Sequence, residues 1–179
     1  MLNETITTDR LLLRPVREAD APALQPLLTW GVAQWLSSVA WPNGVDDTRA
    51  YLARATGINA RGEGTHYTVQ DEEGPCGVIS LQPEDGALTL GYWLGERCWG
   101  KGLMTEAAGA FVDAFFSRHD VAHIVSSVFT GNDASIRVQE KLGFVIVGET
   151  VRYSKARQCT LPRFDTVLGR ARRVQTLAA

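Results

Sequence analysis

The sequence predicts a mixed α/β fold in one domain, and three stretches carry that prediction. Between His66 and Leu94 lie short apolar and β-branched runs separated by polar turns, the pattern of an antiparallel meander. Met104, Ala107, Ala108, Phe111, Val112 and Phe115 recur at helical spacing and form one apolar helix face. A further helical stretch runs from Asn132 to Leu142 and is closed by Gly143, with strand-like runs after it.

Composition supports a globular chain. The 179 residues suit one domain, taken as 1–179 with a core over about 8–170. Hydrophobic residues make up 45% and charged residues 21%, which excludes a disordered chain, a collagen-like fibre and a coiled coil. Lys and Arg number 18 against 20 Asp and Glu, a net charge of −2, so no global positive field exists to drive nucleic-acid binding. No apolar run approaches a membrane span, and Met1-Leu2-Asn3-Glu4-Thr5 does not read as a signal peptide. Cys76, Cys98 and Cys159 are far apart in sequence and form neither a metal-ligand spacing nor a disulfide framework. A reducing cytoplasm, with no membrane and no nucleic-acid partner, is the expected setting.

The elements follow in order. Arg10–Arg14 reads as a strand, with Pro15 ending its pairing. A polar turn at 17–20 opens a helical stretch with Pro22 in its first turn, where a missing N–H costs nothing. Trp30, Trp35 and Trp41 recur through a stretch without clear periodicity. Asp46, Asp47 or Thr48 is expected to cap a second helix running through Arg61, with Tyr51, Leu52, Ala55 and Ile58 on its buried face. The strands His66–Val69, Gly77–Leu81 and Leu88–Leu94 form the meander. A helix after Gly102, a strand Ile124–Phe129, the helix from Asn132 to Leu142, and the strands Phe144–Val151 and Phe164–Leu168 complete the chain. The tail after Arg170 is expected to fray.

The stretch from Arg97 to Glu106 lies between a strand and a helix. Its glycines permit positive φ, so several N–H groups can converge on an anion in front of the helix N-terminus, and Arg97 and Lys101 add positive charge. A tight turn whose glycines serve packing alone is the other reading. Neither the dinucleotide glycine pattern nor the triphosphate loop is matched.

With Asn132-Asp133-Ala134-Ser135 and Lys141-Leu142-Gly143-Phe144 added, the chain resembles the GNAT superfamily of acyl-CoA-dependent N-acyltransferases. Thr8–Arg14, Gly91-Tyr92-Trp93-Leu94, Trp35-Leu36 with Trp41-Pro42, and Asp165–Leu168 are similar to its Rim-type branch, which acetylates N-termini of ribosomal proteins and includes small-amine acetyltransferases.

The resemblance implies a mixed sheet of about seven strands flanked by helices, with Leu88–Leu94 and Ile124–Phe129 as a splayed parallel pair. Acetyl-CoA would lie in the splay, as co-substrate and without a metal. Tyr92, Trp93 and Leu94 would hold the pantetheine and supply N–H groups to the oxyanion. Arg97, Trp99, Gly100, Lys101, Gly102, Leu103, Met104 and Thr105 would hold the pyrophosphate, and Asn132, Ser135 and Lys141 would flank the pantetheine and thiol. Trp35, Trp41 and His66 would line the acceptor site.

Ser135 is the residue expected to protonate, or hydrogen-bond, the leaving thiolate; the bland alternative is a first-turn partner of an Asn132 cap. Many superfamily members carry a Tyr acid at the position of Gln139, and the branch often has a Glu where this chain has Thr89. Glu84, Asp85, Glu96 and His66 remain as candidate bases, beside a water-relayed base, with Glu84 taken as the catalytic candidate. The implied activity is an N-acetyltransferase working by direct attack of a protein N-terminus or small amine, with a homodimer as a possible assembly. The alternative is a non-catalytic acyl-CoA-binding or sensor module on the same fold.

Overall fold

The computed structural model describes residues 2, 4–171 and 173. Its strands are β1 (Ile6–Thr7), β2 (Leu12–Pro15), β3 (Thr65–Asp71), β4 (Gly74–Glu84), β5 (Ala87–Leu94), β6 (His123–Phe129), β7 (Val145–Ser154) and β8 (Cys159–Gly169). The helices are α1 (Ala21–Leu24), α2 (Trp30–Ala33), α3 (Val45–Ala60), α4 (Leu103–Arg118) and α5 (Asp133–Leu142). One sheet of eight strands runs β1-β2-β3-β4-β5-β6-β8-β7, one strand more than expected because Ile6–Thr7 adds an edge.

The strand after Arg10 differs in detail. Pro15 does not end its pairing but sits opposite Tyr67. The next residue, Val16, donates its N–H to His66 O at 3.1 Å, so alternation turns the nitrogen of Pro15 away from β3, where no hydrogen is needed. The meander is antiparallel, β3 to β4 to β5, with all three strands longer than their apolar runs. The β4–β5 turn places Asp85 and Gly86 at φ of 51° and 80°, the left-handed pair of a tight hairpin.

Helices cover both faces of the sheet. The apolar stripe of α4 buries Phe111 and Phe115 against Tyr67, Ile79, Leu90 and Ile124, and Leu142 of α5 joins the same core. On the other face, Leu24 of α1 and Leu52 and Ala55 of α3 pack with Val16 and Val78. The helix α3 begins at Val45 rather than beyond Asp46. The Asp47 carboxylate accepts the Gly44 N–H at 2.8 Å, and Thr48 Oγ1 donates to Asn43 Oδ1 at 2.7 Å. Gly143 closes α5 in the left-handed conformation at φ 95°, as its position after Leu142 predicts. Of the tail, Arg173 is buried and pairs with Asp113 at 2.8 Å; the rest of the fraying expectation lies outside the described residues.

The sheet opens at its centre. β5 and β6 run parallel, and their register reduces to the pair Thr89 and Val125. Just beyond that pair Ser126 Oγ donates to Leu90 O at 2.9 Å, so a side chain takes the place of a ladder bond and the strands diverge.

Gly77 on β4 keeps β5 in place through that divergence. A Cβ there would lie 2.2 Å from Trp93 O. Gly77→Ala is expected to cost roughly 1–3 kcal/mol through forced backbone shifts. An unchanged midpoint in urea unfolding would show that β5 moves aside freely.

Candidate active site

The diverging ends of β5 and β6 form one cleft of about 940 Å³. Its walls come from β5, the glycine loop, the start of α4 and the start of α5. α3 and the segment around Trp35 close the far side.

β5 offers its edge selectively. The Gly95 N–H bonds to Cys76 O at 2.9 Å. Alternation back along the β4 register then turns the main-chain groups of Trp93 toward β4, and those of Leu90, Tyr92 and Leu94 toward the splay. The expectation that Trp93 offers main-chain groups there is therefore corrected. Its side chain lines the cleft from the α3 side instead, packed against Val16, Leu24 and Leu52. The Leu94 carbonyl accepts from Trp99 Nε1 at 2.8 Å, which fastens the otherwise exposed Trp99 over the strand end.

The loop after β5 makes a 3₁₀ turn over Glu96–Cys98, then passes Gly100 and Gly102 at φ of 72° and 75°, where an L side chain is strained. Gly102 is the N-cap of α4. A Cβ at Gly100 would meet nothing within 4 Å, so the main chain there is open to a ligand. Trp99, Gly100, Gly102, Leu103, Met104 and Thr105 all line the cleft. The loop and the start of α4 thus present N–H groups and a helix N-terminus to one space, the arrangement that receives a phosphate.

The two cations of this loop do not face that space. Arg97 forks onto Asp71, with Nη1 to Oδ2 at 2.6 Å and Nη2 to Oδ1 at 3.0 Å. This pairing holds the Asp71 carboxyl below its ordinary range and the guanidinium above its own. Arg97 thus anchors the loop to the end of β3, and its charge is spent there. Neither Arg97 nor Lys101 lines the cleft; the Lys101 carbonyl accepts from Arg10 Nη1 at 2.9 Å.

The loop also corrects the reading of the cysteines as far apart. Cys76 and Cys98 converge with Asp71, their ligand atoms lying within 4.8 Å of one another. Burial pushes both thiols up, so they stay protonated, and the Arg97 fork occupies both Asp71 oxygens.

At the opposite wall, Asn132 caps α5, its Oδ1 accepting the Ser135 N–H at 3.2 Å. Ser135 Oγ is left for another partner, and that partner is the Tyr92 phenol at 2.9 Å. Asn132, Ser135 and Lys141 line the cleft. The side chain of Tyr92 is the functional candidate that sequence reasoning missed: only its main chain is implicated by the motif, and the contact joins residues 43 apart. Gln139, at the position of the usual Tyr acid, is buried and donates to Ser126 Oγ at 2.9 Å.

The candidate bases are all engaged. Glu84 lines the cleft and pairs with Arg152 at 2.5 Å, while Asp85 reaches the same guanidinium at 3.4 Å. Glu96 accepts from Thr29 Oγ1, tying the loop to the segment before α2. His66 lines the cleft, with Nε2 3.0 Å from Gln82 Oε1 and Nδ1 3.3 Å from the Tyr51 hydroxyl. Burial lowers the His66 pKa and raises that of Tyr51 to about 12, so the neutral imidazole donates to Gln82 and accepts from Tyr51.

Trp35 lines the cleft under the Arg157 guanidinium, 4.6 Å above its ring. Trp41 does not line it; the ring packs on Trp30, centroids 6.0 Å apart. That expectation is corrected: the chain lines the cleft from Trp35 through Ala40, and the Trp41 ring turns away from it onto Trp30.

Comparison with known proteins agrees with this geometry. The family profile described as an acetyltransferase (GNAT) domain matches residues 10–145. The ribosomal-protein-serine acetyltransferase of Escherichia coli K12 is 26% identical over 154 residues, 82% of this chain and 86% of that protein. An uncharacterised N-acetyltransferase, p20, of Bacillus licheniformis is 27% identical over 162 residues, 86% of this chain and 89% of its own. Among solved structures, RimL, a ribosomal L7/L12 alpha-N-protein acetyltransferase in complex with coenzyme A, superposes with a TM-score of 0.80 at 24% identity. It covers 93% of this chain and 98% of its own. Among the described residues, no helix is long and apolar enough to cross a membrane.

Proposed function

The chain belongs to the GNAT acetyltransferase family, and on that premise we propose that it transfers acetyl to the α-amine of a protein N-terminus by direct attack. It is an N-acetyltransferase of Rim type whose co-substrate is acetyl-CoA. The resemblance to the E. coli ribosomal-protein-serine enzyme supports a protein acceptor.

The observation that carries the reading is the splay itself. β5 and β6 part after Thr89 and Val125, and the freed edge of Tyr92 and Leu94 faces the same space as the glycine loop. The fit of the residues present is good: Gly100 leaves the main chain bare, and Gly102 begins α4 behind it. In this assignment the loop N–H groups hold the pyrophosphate, with Thr105 and Lys141 at its sides. The Tyr92 edge orients the thioester and its N–H bonds the oxygen that gains charge. Ser135 donates a hydrogen bond to the sulfur as it leaves. Trp35 and the His66 wall form the acceptor side. Glu84, held by Arg152, stands at that side as a candidate to take the amine proton through water.

The test is thiol release from acetyl-CoA offered a panel of N-terminal peptides, with small primary amines as the comparison set. Release that depends on peptide and saturates with it is the expected result. Release with small amines alone would move the acceptor to that class. Tight binding without release to any amine would return the chain to the sensor reading.

A further inference from the structure

We propose that Arg10 is a positioning residue for the pyrophosphate: it fixes the Lys101–Gly102 peptide so that the Gly102 N–H faces the cleft, and it screens the Glu106 charge from the bound anion. This rests on the glycine loop as the pyrophosphate cradle.

The guanidinium is held on a carboxylate that is itself held. Arg10 Nε donates to Glu106 Oε2 at 2.7 Å, and Nη2 reaches the same oxygen at 2.5 Å. The Arg10 main-chain N–H and Thr8 Oγ1 donate to the other carboxylate oxygen, at 3.0 and 2.6 Å. One edge of the guanidinium is used in this way, and Nη1 is left to donate to Lys101 O at 2.9 Å. A planar fork seated on a fixed carboxylate has one orientation, so that carbonyl is held in one place.

The direction follows from the peptide plane. The Lys101–Gly102 bond is trans, so its C=O and N–H point to opposite sides. The carbonyl points at Arg10, and the Gly102 N–H therefore points away from it. Gly102 lines the cleft and Arg10 does not. Among the described residues that N–H has no acceptor.

The second effect is electrostatic. Glu106 lies in the first turn of α4, where a negative charge opposes an anion bound at the same helix N-terminus. Burial raises the Glu106 pKa, but the bonds from Thr8 and Arg10 outweigh it, so the carboxyl stays ionised and needs its counter-charge. Arg10 is half-exposed, so the ion pair adds little to stability and its consequence falls on the loop.

The experiment is calorimetric binding of three donors. Acetyl-CoA is compared with its 3′-dephospho form, which keeps the pyrophosphate, and with S-acetylpantetheine, which lacks it. Arg10→Ala is expected to weaken the two nucleotides about 10-fold each and S-acetylpantetheine less than about 2-fold. The double variant Arg10→Ala/Glu106→Gln, freed of the unscreened carboxylate, should recover about 3-fold in acetyl-CoA affinity. A merely structural Arg10 would weaken all three donors alike and gain nothing from the second substitution. Equal weakening of the three, an unchanged dephospho form, or no recovery in the double variant would overturn the proposal. If Arg10→Ala does not fold, Arg10→Lys decides, since one ammonium cannot span Glu106 and the Lys101 carbonyl. Weakening confined to the two nucleotides supports the proposal there, and equal weakening or none overturns it. If Gly100→Glu loses acetyl-CoA while Arg10→Ala binds as wild type, the cradle stands and this proposal falls. If neither variant weakens binding, both fall.

Discussion

Gly100→Glu is expected to abolish acetyl-CoA binding and leave the fold intact. Gly100 sits at φ 72° on the cleft, with nothing within 4 Å of an added Cβ. Any L residue there costs about 1–2 kcal/mol in backbone strain, which this chain can absorb. The carboxylate, however, would stand where the assignment puts the pyrophosphate. It would also oppose the favourable end of α4. By calorimetry the affinity should fall at least about 100-fold, a loss of roughly 2.7 kcal/mol or more. Gly100→Ala is the control: it carries the same strain without the charge and should bind within about 10-fold of wild type. Equal binding by wild type and Gly100→Glu would place the phosphates elsewhere in the cleft.

Asp20→Ala is expected to be the most destabilising single change outside the hydrophobic core. The Asp20 carboxylate is buried and accepts from Arg14 Nη2 at 2.6 Å, Arg14 Nη1 at 2.9 Å, Thr68 Oγ1 at 2.7 Å and the Arg17 N–H at 3.0 Å. These bonds fasten the turn before α1 to β2 and β3. Removing the carboxylate takes the counter-charge from the part-buried Arg14 guanidinium, which keeps only Gln70 and the Pro15 carbonyl, a loss of about 3–5 kcal/mol. For a chain of this size that lowers Tm by roughly 6–20 °C.

The same carboxylate sets an acid limit. Burial alone would raise its pKa, but the bonds from Arg14, Thr68 and Arg17 outweigh burial and hold it below the ordinary carboxylate value. A depressed carboxyl contributes stability that is fully present above about pH 4 and lost as pH falls through the folded value. Urea midpoints taken from pH 6 downward should decline in wild type, and less steeply in Asp20→Ala. Parallel curves for the two would assign the acid limb to other carboxylates.

Much of this molecule was legible in its sequence because the deciding signals are local. The spacing of Phe111, Val112 and Phe115 specifies a buried helix face whatever lies opposite. Gly143 ends α5 because only a glycine takes that φ cheaply, and Asn132 starts it because its side chain reaches the Ser135 N–H. Gly100 and Gly102 mark a turn that bares its main chain, and their place between strand and helix pointed to an anion.

What the sequence could not determine is which partner each polar side chain takes, since that depends on elements distant in the chain. Arg97 reads as a phosphate ligand until the end of β3 brings Asp71 beside it. Trp41 reads as a pocket residue until the chain turns it onto Trp30. Pro15 reads as a strand end, yet register alone turns its nitrogen to the side where no hydrogen is wanted. The alternation of β5 against β4 decides that Tyr92, and not Trp93, offers its main chain to the cleft. The Tyr92 phenol meets Ser135 only because the fold sets the start of α5, 43 residues further on, over the face of β5 that carries Tyr92.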